Sequence, residues 1–533
     1  MIVNDPLLNE KLRQSGIAYI NAEGAICTNE PDHPSLDEIK DIIQSSPNFL
    51  GGRHMGIEPK VKAVTEEDFQ RNYSLLIEAT TKKDEIRDET DVADGLDQIL
   101  IEMIERGASD AHIRITENHT ILLARIDGKL TTLKGNQSRE FGEKLLSYAF
   151  IRKAKQKWNI KGDYDGTFDI GLAVSNDVEK EYSFRLSQMP SEGGAKATIR
   201  NLDSGSGDDH LTLEQLGLSA GHIKYFIEAL NQSQGAILIS GPTGSGKTTL
   251  VCSALLVVSE DEDRLIHTLE DPVEWNLSKR NIIQTTVDPL QRIGNGVEGF
   301  KDFAYMGKKL LRNDTDLCYV GEVRDHETAK TLLRMAETGQ VAVATLHCNS
   351  AISAIGTMIE QMSIHPALLS SPGVIRALGH QRLIRTICKK CGIPHRVMAE
   401  KHMDMAKTDQ QAYSRVEDLI SEYCVTEHEA EKVRDTVRYM NRAGCSHCIG
   451  GEKGRTALFE LVLLDDEARD YISKRDMKGW EKDLKAKGWP SIRDHGRSKI
   501  FRGLADIRAV ESQVSSLKET PLESAYGEMK EEW

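Results

Sequence analysis

The sequence lacks any long apolar run. None of its stretches approaches the roughly 18 consecutive apolar residues of a membrane-spanning helix. Its first residues, MIVNDPLLNEKLRQ, lack the basic and then apolar order of a secretory signal. We therefore expect a cytoplasmic protein, and any contact with a membrane would run through a partner or a surface helix.

The composition lacks two further signatures, an excess of positive charge and a disulfide framework. Lys and Arg number 68 against 83 Asp and Glu, which gives a net charge of −15. Nonspecific binding to nucleic acid depends on a basic surface, so DNA or RNA is disfavoured as the main partner. The nine cysteines are odd in number and scattered, which does not suit a set of disulfides.

The length and the pattern of apolar residues predict several domains. A chain of 533 residues is too long for one compact core. Residues 108–200 alternate in strand-like runs, separated by the turn segments DGK, NQS and SEGG. Residues 211–380 alternate apolar strands with helices, as a doubly wound sheet requires. A helix that precedes residues 108–200 is predicted from about residue 91 to Gly107, which would end it.

A phosphate-binding loop is predicted at residues 241–248. The strand-like segment AILIS runs into GPTGSGKT, which fits G-x-x-x-x-G-K-[ST], and the helix-like LVCSALLVV follows. Backbone N–H groups would surround the β-phosphate of ATP, Lys247 would reach the β- and γ-phosphates, and the Thr248 hydroxyl would bind Mg²⁺. The predicted ATP-binding residues are Gly241, Pro242, Thr243, Gly244, Ser245, Gly246, Lys247, Thr248 and Thr249.

Two acidic segments follow predicted strands. Glu270 and Asp271 directly follow the apolar segment RLIHTL, and at the carboxyl end of a parallel strand they would face a nucleotide crevice. There they would hold Mg²⁺ through water or orient the attacking water; the alternative is a solvated turn. Glu322 ends LCYVG, a strand that we expect beside the P-loop strand, and would polarise water. Asp325 serves catalysis or caps the next helix.

His347 ends a further strand, VAVATL. We predict that it senses the γ-phosphate, although a single histidine at a strand end is more often structural.

Two C-x-x-C pairs predict a metal site. Cys388 and Cys391 form one pair, and Cys445 and Cys448 form the other about fifty residues later. Four thiolates close a tetrahedral Zn²⁺ site with no open position, so the role would be structural. Redox dithiols or buried cysteines are the alternative, but two matched pairs in a cytosolic chain favour zinc.

These segments together resemble one family, the secretion ATPases that power type II secretion and type IV pilus assembly. TLEDPVEW, LLRNDTDLCYVGEVRDHETA and GQVAVATLHCNSA resemble its Asp box, Walker B and His box. ASDAHIRI and ARIDGKL resemble its second N-terminal subdomain, and FRLSQMP and KATIRNL resemble the segments that carry its two arginines. HQRLIRTICKKC and GCSHCIGGEKGRTALFELV resemble its metal-binding segment. The resemblance spans most of residues 95–515.

The resemblance implies a cytoplasmic, hexameric Mg²⁺-ATPase that binds peripherally to the inner membrane. Nucleotide would lie between a RecA-like domain and the smaller α+β domain. Arg185 and Arg200 would then reach the γ-phosphate, as arginine fingers do. The implied partners are an inner-membrane platform protein and membrane-anchored assembly proteins. The zinc pairs and the extra N-terminal domain favour an assembly or export motor over a retraction motor.

The predicted fold class is α/β, with a RecA-like P-loop domain, a preceding PAS-like α+β subdomain, a small N-terminal domain and a C-terminal zinc-binding and helical region. The predicted regions are a partner-docking domain (1–80), a linker (81–94), the α+β subdomain (95–203), a hinge (204–212), the ATPase core (213–380), the tetracysteine region (381–465), a helical region (466–515) and a disordered tail (516–533).

Two other functions are compatible with these motifs. One is a nucleic-acid translocating motor that grips DNA with a zinc ribbon, and the other is an assembly scaffold that binds ATP without hydrolysing it. One position also departs from the family, because Gln340 stands where the His box usually has its first histidine. Glutamine cannot change charge near neutral pH, so the role of that histidine is altered or dispensable here.

Overall fold

The computed structural model describes residues 8, 11–12, 15–21, 24–31, 33, 35–45, 59–66, 68–70, 72–73, 89–174, 179–202, 210–294, 297–400, 406–517, 523, 526 and 529–530. The chain forms two compact units, Met1–Ser204 and Gly205–Trp533. The predicted hinge and tail lie mostly outside the described residues. Among the described residues, no helix combines the length and the apolar character that crossing a bilayer requires.

Among the described residues, the N-terminal part of the first unit contains a small sheet and a helix. Its strands are β1 (Tyr19–Ile20), β2 (Ile26–Thr28) and β3 (Val61–Ala63), and its helix is α1 (Ser35–Ser45). Ile39 and Ile43 from the helix and Ile20 from the sheet are fully buried in one apolar cluster. This part therefore has a core of its own.

The rest of the first unit is a six-stranded antiparallel sheet with helices. The elements are α2 (Glu89–Glu105), β4 (Ala108–Ile115), β5 (His119–Ile126), β6 (Lys129–Ser138), α3 (Arg139–Tyr148), a π-helical turn (Ala149–Lys153), β7 (Tyr164–Ala173), β8 (Glu179–Ser191) and β9 (Gly194–Asn201). The strand order is β6-β5-β4-β9-β8-β7. The predicted turn at NQS is wrong, because these residues end β6 and pair with β5.

The second unit carries the remaining elements. Its strands are β10 (Gly235–Ser240), β11 (Ile266–Glu270), β12 (Ile282–Thr286), β13 (Asp288–Gly294), β14 (Val297–Lys301), β15 (Leu317–Val320), β16 (Val341–Leu346), β17 (Ile375–Ile387), β18 (Ile393–Pro394), β19 (Arg438–Tyr439) and β20 (Glu452–Leu463). Its helices are α4 (Leu213–Leu216), α5 (Ala220–Leu230), α6 (Lys247–Val258), α7 (Phe303–Leu310), α8 (His326–Glu337), α9 (Ser353–Glu360), α10 (Pro366–Leu369), α11 (His395–Glu400), α12 (Lys407–Tyr423), α13 (Glu427–Thr436), α14 (Asp466–Ser473), α15 (Met477–Ala486), α16 (Ile492–Phe501) and α17 (Ile507–Val514).

A seven-stranded sheet forms the centre of this unit, in the order β12-β11-β15-β16-β10-β17-β20. All its neighbouring strands are parallel except β17 and β20. Residues of β10 alternate between two cores: Ala236 and Leu238 join one apolar cluster, and Ile237 and Ile239 join the other. Burial on both faces is typical of a parallel sheet covered by helices on each side. The predicted α/β fold is thus confirmed.

The predicted boundary between residues 380 and 381 falls inside a strand. β17 runs without a break from Ile375 to Ile387 and pairs over most of its length with β20. The tetracysteine region therefore contributes part of β17 and all of β20 to the sheet of the ATPase core. These two strands pair through ten residues.

The insert between the cysteine pairs packs on the C-terminal helices. Leu419 and Ile420 of α12 share an apolar cluster with Val510 of α17. An ion pair of 2.6 Å joins Arg415 to Glu511 at the same interface. The inner side of this helical layer thus combines an apolar cluster with an ion pair.

Candidate active site

The carboxyl ends of four parallel strands meet at one edge of the seven-stranded sheet. β10, β11, β15 and β16 all point to this edge. The P-loop follows β10, and Glu322 follows β15. The expectation that these two strands are neighbours is wrong, because β16 pairs with both and lies between them. His347, which follows β16, is therefore placed between the P-loop and Glu322.

The P-loop closes on its own lysine. Lys247 Nζ donates to the backbone oxygens of Gly241 at 2.9 Å and Pro242 at 3.1 Å. Burial lowers the pKa of this ammonium, and the nearby Glu322 carboxylate opposes the shift. Gly244 and Gly246 have positive φ angles of 74° and 80°, which glycine adopts without strain. The chain thus turns around a buried cation at the start of α6.

Glu270 is buried at the end of β11 and is only partly satisfied. Its Oε1 accepts from Thr268 Oγ1 at 2.6 Å and from Gln284 Nε2 at 3.0 Å. Its Oε2 is buried without a hydrogen-bond partner among the described residues. Burial raises the pKa of this carboxyl group. A buried carboxylate oxygen without a donor suits a cation or its bound water.

Tyr319 of β15 is near both this carboxyl group and the P-loop. Burial raises the pKa of its hydroxyl, the charge of Glu270 raises it further, and the side chain of Thr248 lowers it. The residue predicted to bind Mg²⁺ and the buried carboxyl group therefore both act on one buried tyrosine. Asp271, which follows Glu270 in the chain, is exposed and interacts electrostatically with Arg324.

Both carboxylate oxygens of Glu322 are paired. Oε1 lies 3.0 Å from His347 Nε2, and Oε2 accepts from Arg324. Burial raises the pKa of this group, but the hydrogen bond and charge of Arg324 together with His347 and Lys247 lower it on balance. Glu322 is therefore ionised at neutral pH.

His347 bridges the two halves of this arrangement. Its Nδ1 lies 3.2 Å from the Gly241 oxygen, and its Nε2 contacts Glu322. Both partners are hydrogen-bond acceptors, so either ring nitrogen can donate to the partner that it faces. The structure brings this predicted residue into direct contact with the P-loop.

Two other residues singled out in the sequence lie away from this contact. Asp325 caps α8, because its carboxylate accepts from the Thr328 N–H at 2.9 Å and from the Thr328 hydroxyl at 2.8 Å. Gln340 precedes β16, and its backbone oxygen accepts from the Gly235 N–H at the start of β10. It therefore lies at the opposite edge of the sheet from His347, about 20 Å away over six residues of strand.

The two predicted arginines are direct neighbours in the first unit. Arg185 of β8 and Arg200 of β9 are paired across the two strands, and Asp110 of β4 is opposite Arg200 on the other side. Arg200 Nε donates to Asp110 Oδ1 at 2.8 Å. Arg125 of β5 continues the row beyond Asp110. Like charges on adjacent strands repel, so this row of three arginines and one aspartate is suited to an anion.

The four predicted zinc ligands form one cluster. All four sulfurs lie within 4.8 Å of one another. Cys388 and Cys445 have their sulfurs 3.8 Å apart, and Cys448 Sγ lies 3.6 Å from that of Cys445 and from that of Cys391. Four sulfurs at about 2.3 Å from a tetrahedral zinc are about 3.8 Å apart. The backbone N–H of Cys445 also donates to Cys448 Sγ at 3.3 Å, so these residues fit a structural zinc ion.

Residues of the active-site edge that the sequence does not predict include Tyr319, Gln284 and Arg324. Tyr319 and Gln284 lie within strands, where no motif distinguishes them from packing residues. Arg324 lies two residues after a predicted catalytic glutamate in the segment GEVRD, and this position could have indicated a role at the site.

A P-loop, a buried acid and a paired glutamate at one edge of a parallel sheet define a P-loop ATPase of the RecA type. The sequence model of the type II/IV secretion system protein family matches residues 85–512. The chain belongs to this family, as its motifs predicted.

Known relatives agree with this assignment. The type II secretion system protein E of Pseudomonas aeruginosa is 32% identical over 418 residues, which cover 78% of this chain and 74% of the relative. The type IV pilus assembly ATPase PilB of Acinetobacter baylyi is 28% identical over 434 residues, covering 81% and 68%. The Legionella pneumophila ATPase DotB matches in structure with a TM-score of 0.52 at 17% identity, over 81% of this chain and 98% of DotB, which shows a shared fold. The predicted ATP hydrolase is thus confirmed at the level of the family.

Proposed function

We propose that this ATPase is a hexameric motor that powers assembly of a type IV pilus or of the related pseudopilus of type II secretion. The contact of His347 with both Gly241 and Glu322 carries the proposal, because it joins the phosphate-binding loop to a candidate catalytic base. Relatives named for each of the two processes support it.

Each residue at the edge has a distinct proposed role. Lys247 exchanges its backbone partners for the β- and γ-phosphates of ATP, and the Thr248 hydroxyl binds Mg²⁺. Glu270 and Asp271 hold the ion through water. Glu322 polarises the attacking water, and His347 responds to the γ-phosphate because it already contacts the loop that surrounds it.

The arginine row is proposed to bind the γ-phosphate of ATP. Replacing Arg185 and Arg200 together by alanine should lower kcat by about tenfold or more, because charge on the transferred phosphoryl group loses two donors. Binding of MgADP should change little. The measurement is phosphate release at saturating ATP beside an ADP titration. A matched control is Arg114→Ala, an exposed arginine on β4 outside the row; equal losses in both variants would contradict the role.

The N-terminal region 1–80 is proposed to dock a membrane-anchored assembly protein, while the ring acts on an inner-membrane platform protein. Deleting residues 1–90 should leave basal ATP hydrolysis in place and abolish recruitment to membranes, measured by fractionation. Recruitment that persists after the deletion contradicts this assignment.

One genetic experiment tests the function as a whole. Disruption of the gene should remove surface fibres if the product is a pilus, or should stop export of specific proteins if it is a pseudopilus. Both are scored in the same strain. Retention of both processes contradicts the proposal, and ATP hydrolysis that is stimulated by DNA and weakens steeply with salt would support the nucleic-acid motor instead.

A further inference from the structure

Strand β17 contacts the phosphate-binding loop through one buried residue, Gln381. This side chain is only 1% exposed, and its Nε2 donates to the backbone oxygen of Ser245 at 2.7 Å. A Cβ atom at Gly241 would lie 2.4 Å from the backbone oxygen of Gln381. The loop therefore rests directly on this residue, with no room for a side chain at Gly241.

The hydrogen bond to Ser245 fixes the orientation of one peptide group. In a trans peptide the C=O and the N–H of the next residue point in opposite directions. Because the Ser245 oxygen points to Gln381, the N–H of Gly246 points away from β17 and into the loop. Backbone N–H groups of this part of a P-loop are the donors that surround the β-phosphate.

Within the described part of the chain, the side-chain amide of Gln381 makes no hydrogen bond other than the one to Ser245. Its Oε1 is buried without a hydrogen-bond partner among the described residues. A buried polar atom left in this way is costly, and an apolar side chain of similar volume would avoid that cost. The glutamine is therefore explained by the one bond that it donates.

We propose that Gln381 is a positioning residue for phosphate binding, acting through Ser245 to aim the Gly246 N–H at the β-phosphate. The inference rests on the proposed function of the loop as the MgATP site. It assigns to β17 a part in nucleotide affinity that is separate from the hydrolytic role of Glu322.

The test compares Gln381→Met with Gln340→Met in the full-length chain. Gln340→Met is the matched control, because this glutamine also carries a buried, unpartnered Oε1 but lies at the opposite edge of the same sheet. Gln381→Met should raise the Kd for MgADP and the KM for ATP by about tenfold, the loss of one buried hydrogen bond, or about 1.4 kcal/mol. The value of kcat should stay within about twofold, because the bond serves ground state and transition state equally.

A Kd for MgADP in Gln381→Met that stays within about twofold of the wild-type value overturns the proposal, and so does an equal rise in Gln340→Met. If Gln381→Met does not fold, as judged by its melting temperature, Gln381→Leu gives the same test, since this uncharged side chain also cannot donate to Ser245. The MgADP titration needs no turnover. If the wild-type chain binds MgADP but hydrolyses no ATP, the proposed function is contradicted. The effect of Gln381→Met on the Kd for MgADP can still be measured in that case.

Discussion

Replacing Glu322 by glutamine is expected to lower ATP turnover by about a thousandfold, within the range that general bases contribute. The amide keeps the size of the side chain but cannot accept a proton from water. MgATP binding should be retained, because the P-loop contacts of Lys247 are unaffected. Phosphate release under saturating ATP measures kcat, and a nucleotide titration measures binding.

The control for this change is Glu327→Gln. Glu327 lies five residues further along the chain, is exposed, and forms a surface ion pair of 3.2 Å with Lys308, which is worth little in stability. Its variant should hydrolyse ATP at the wild-type rate. Turnover in Glu322→Gln within tenfold of the wild type would rule out the glutamate as the base, and fibre assembly or export that proceeds without hydrolysis would support an ATP-binding scaffold.

Replacing Cys445 by serine is expected to remove the zinc ion that we propose for the tetrad and to lower the melting temperature by about 5 °C or more, since structural zinc contributes directly to folding free energy. Cys445 is close to two other ligand sulfurs, Cys388 and Cys448, so its loss opens the tetrahedron. Elemental analysis should give about one zinc per wild-type chain and almost none in the variant.

Cys424→Ser is the control for the tetrad. This cysteine is partly buried in the same half of the chain but lies outside the cluster, and its variant should keep the metal. A thiol titration separates zinc from redox chemistry: a wild-type protein without metal whose four cysteines resist alkylation until reduced would establish disulfides and contradict the zinc site.

The candidate site residues that could be predicted from the sequence lie within short, contiguous motifs. The loop at 241–248 could be predicted because strand, glycines, lysine and helix follow one another within a few residues. The four cysteines could be predicted because each pair has the spacing of a metal ligand pair. In both cases the chemistry requires neighbouring residues, so the chain order carries the information.

The contacts that were not predicted depend on strand order. The position of β16 between β10 and β15 decides that His347, rather than a side chain near Glu322, touches Gly241. Gln381 reaches the loop only because β17 is the other neighbour of β10. β10 is more than a hundred residues from both β16 and β17 along the chain, and no local pattern encodes which strands become adjacent.

Asp110 has a consequence for how the proposed cycle would restart. It is mostly buried and bonded to Arg200, so that arginine already has an anionic ligand when no nucleotide is bound. If Arg200 binds the γ-phosphate as proposed, the phosphate would compete with this internal carboxylate, and its departure would return Arg200 to Asp110. Asp110 would thereby oppose binding of the γ-phosphate and restore the resting ion pair of the arginine after each turnover.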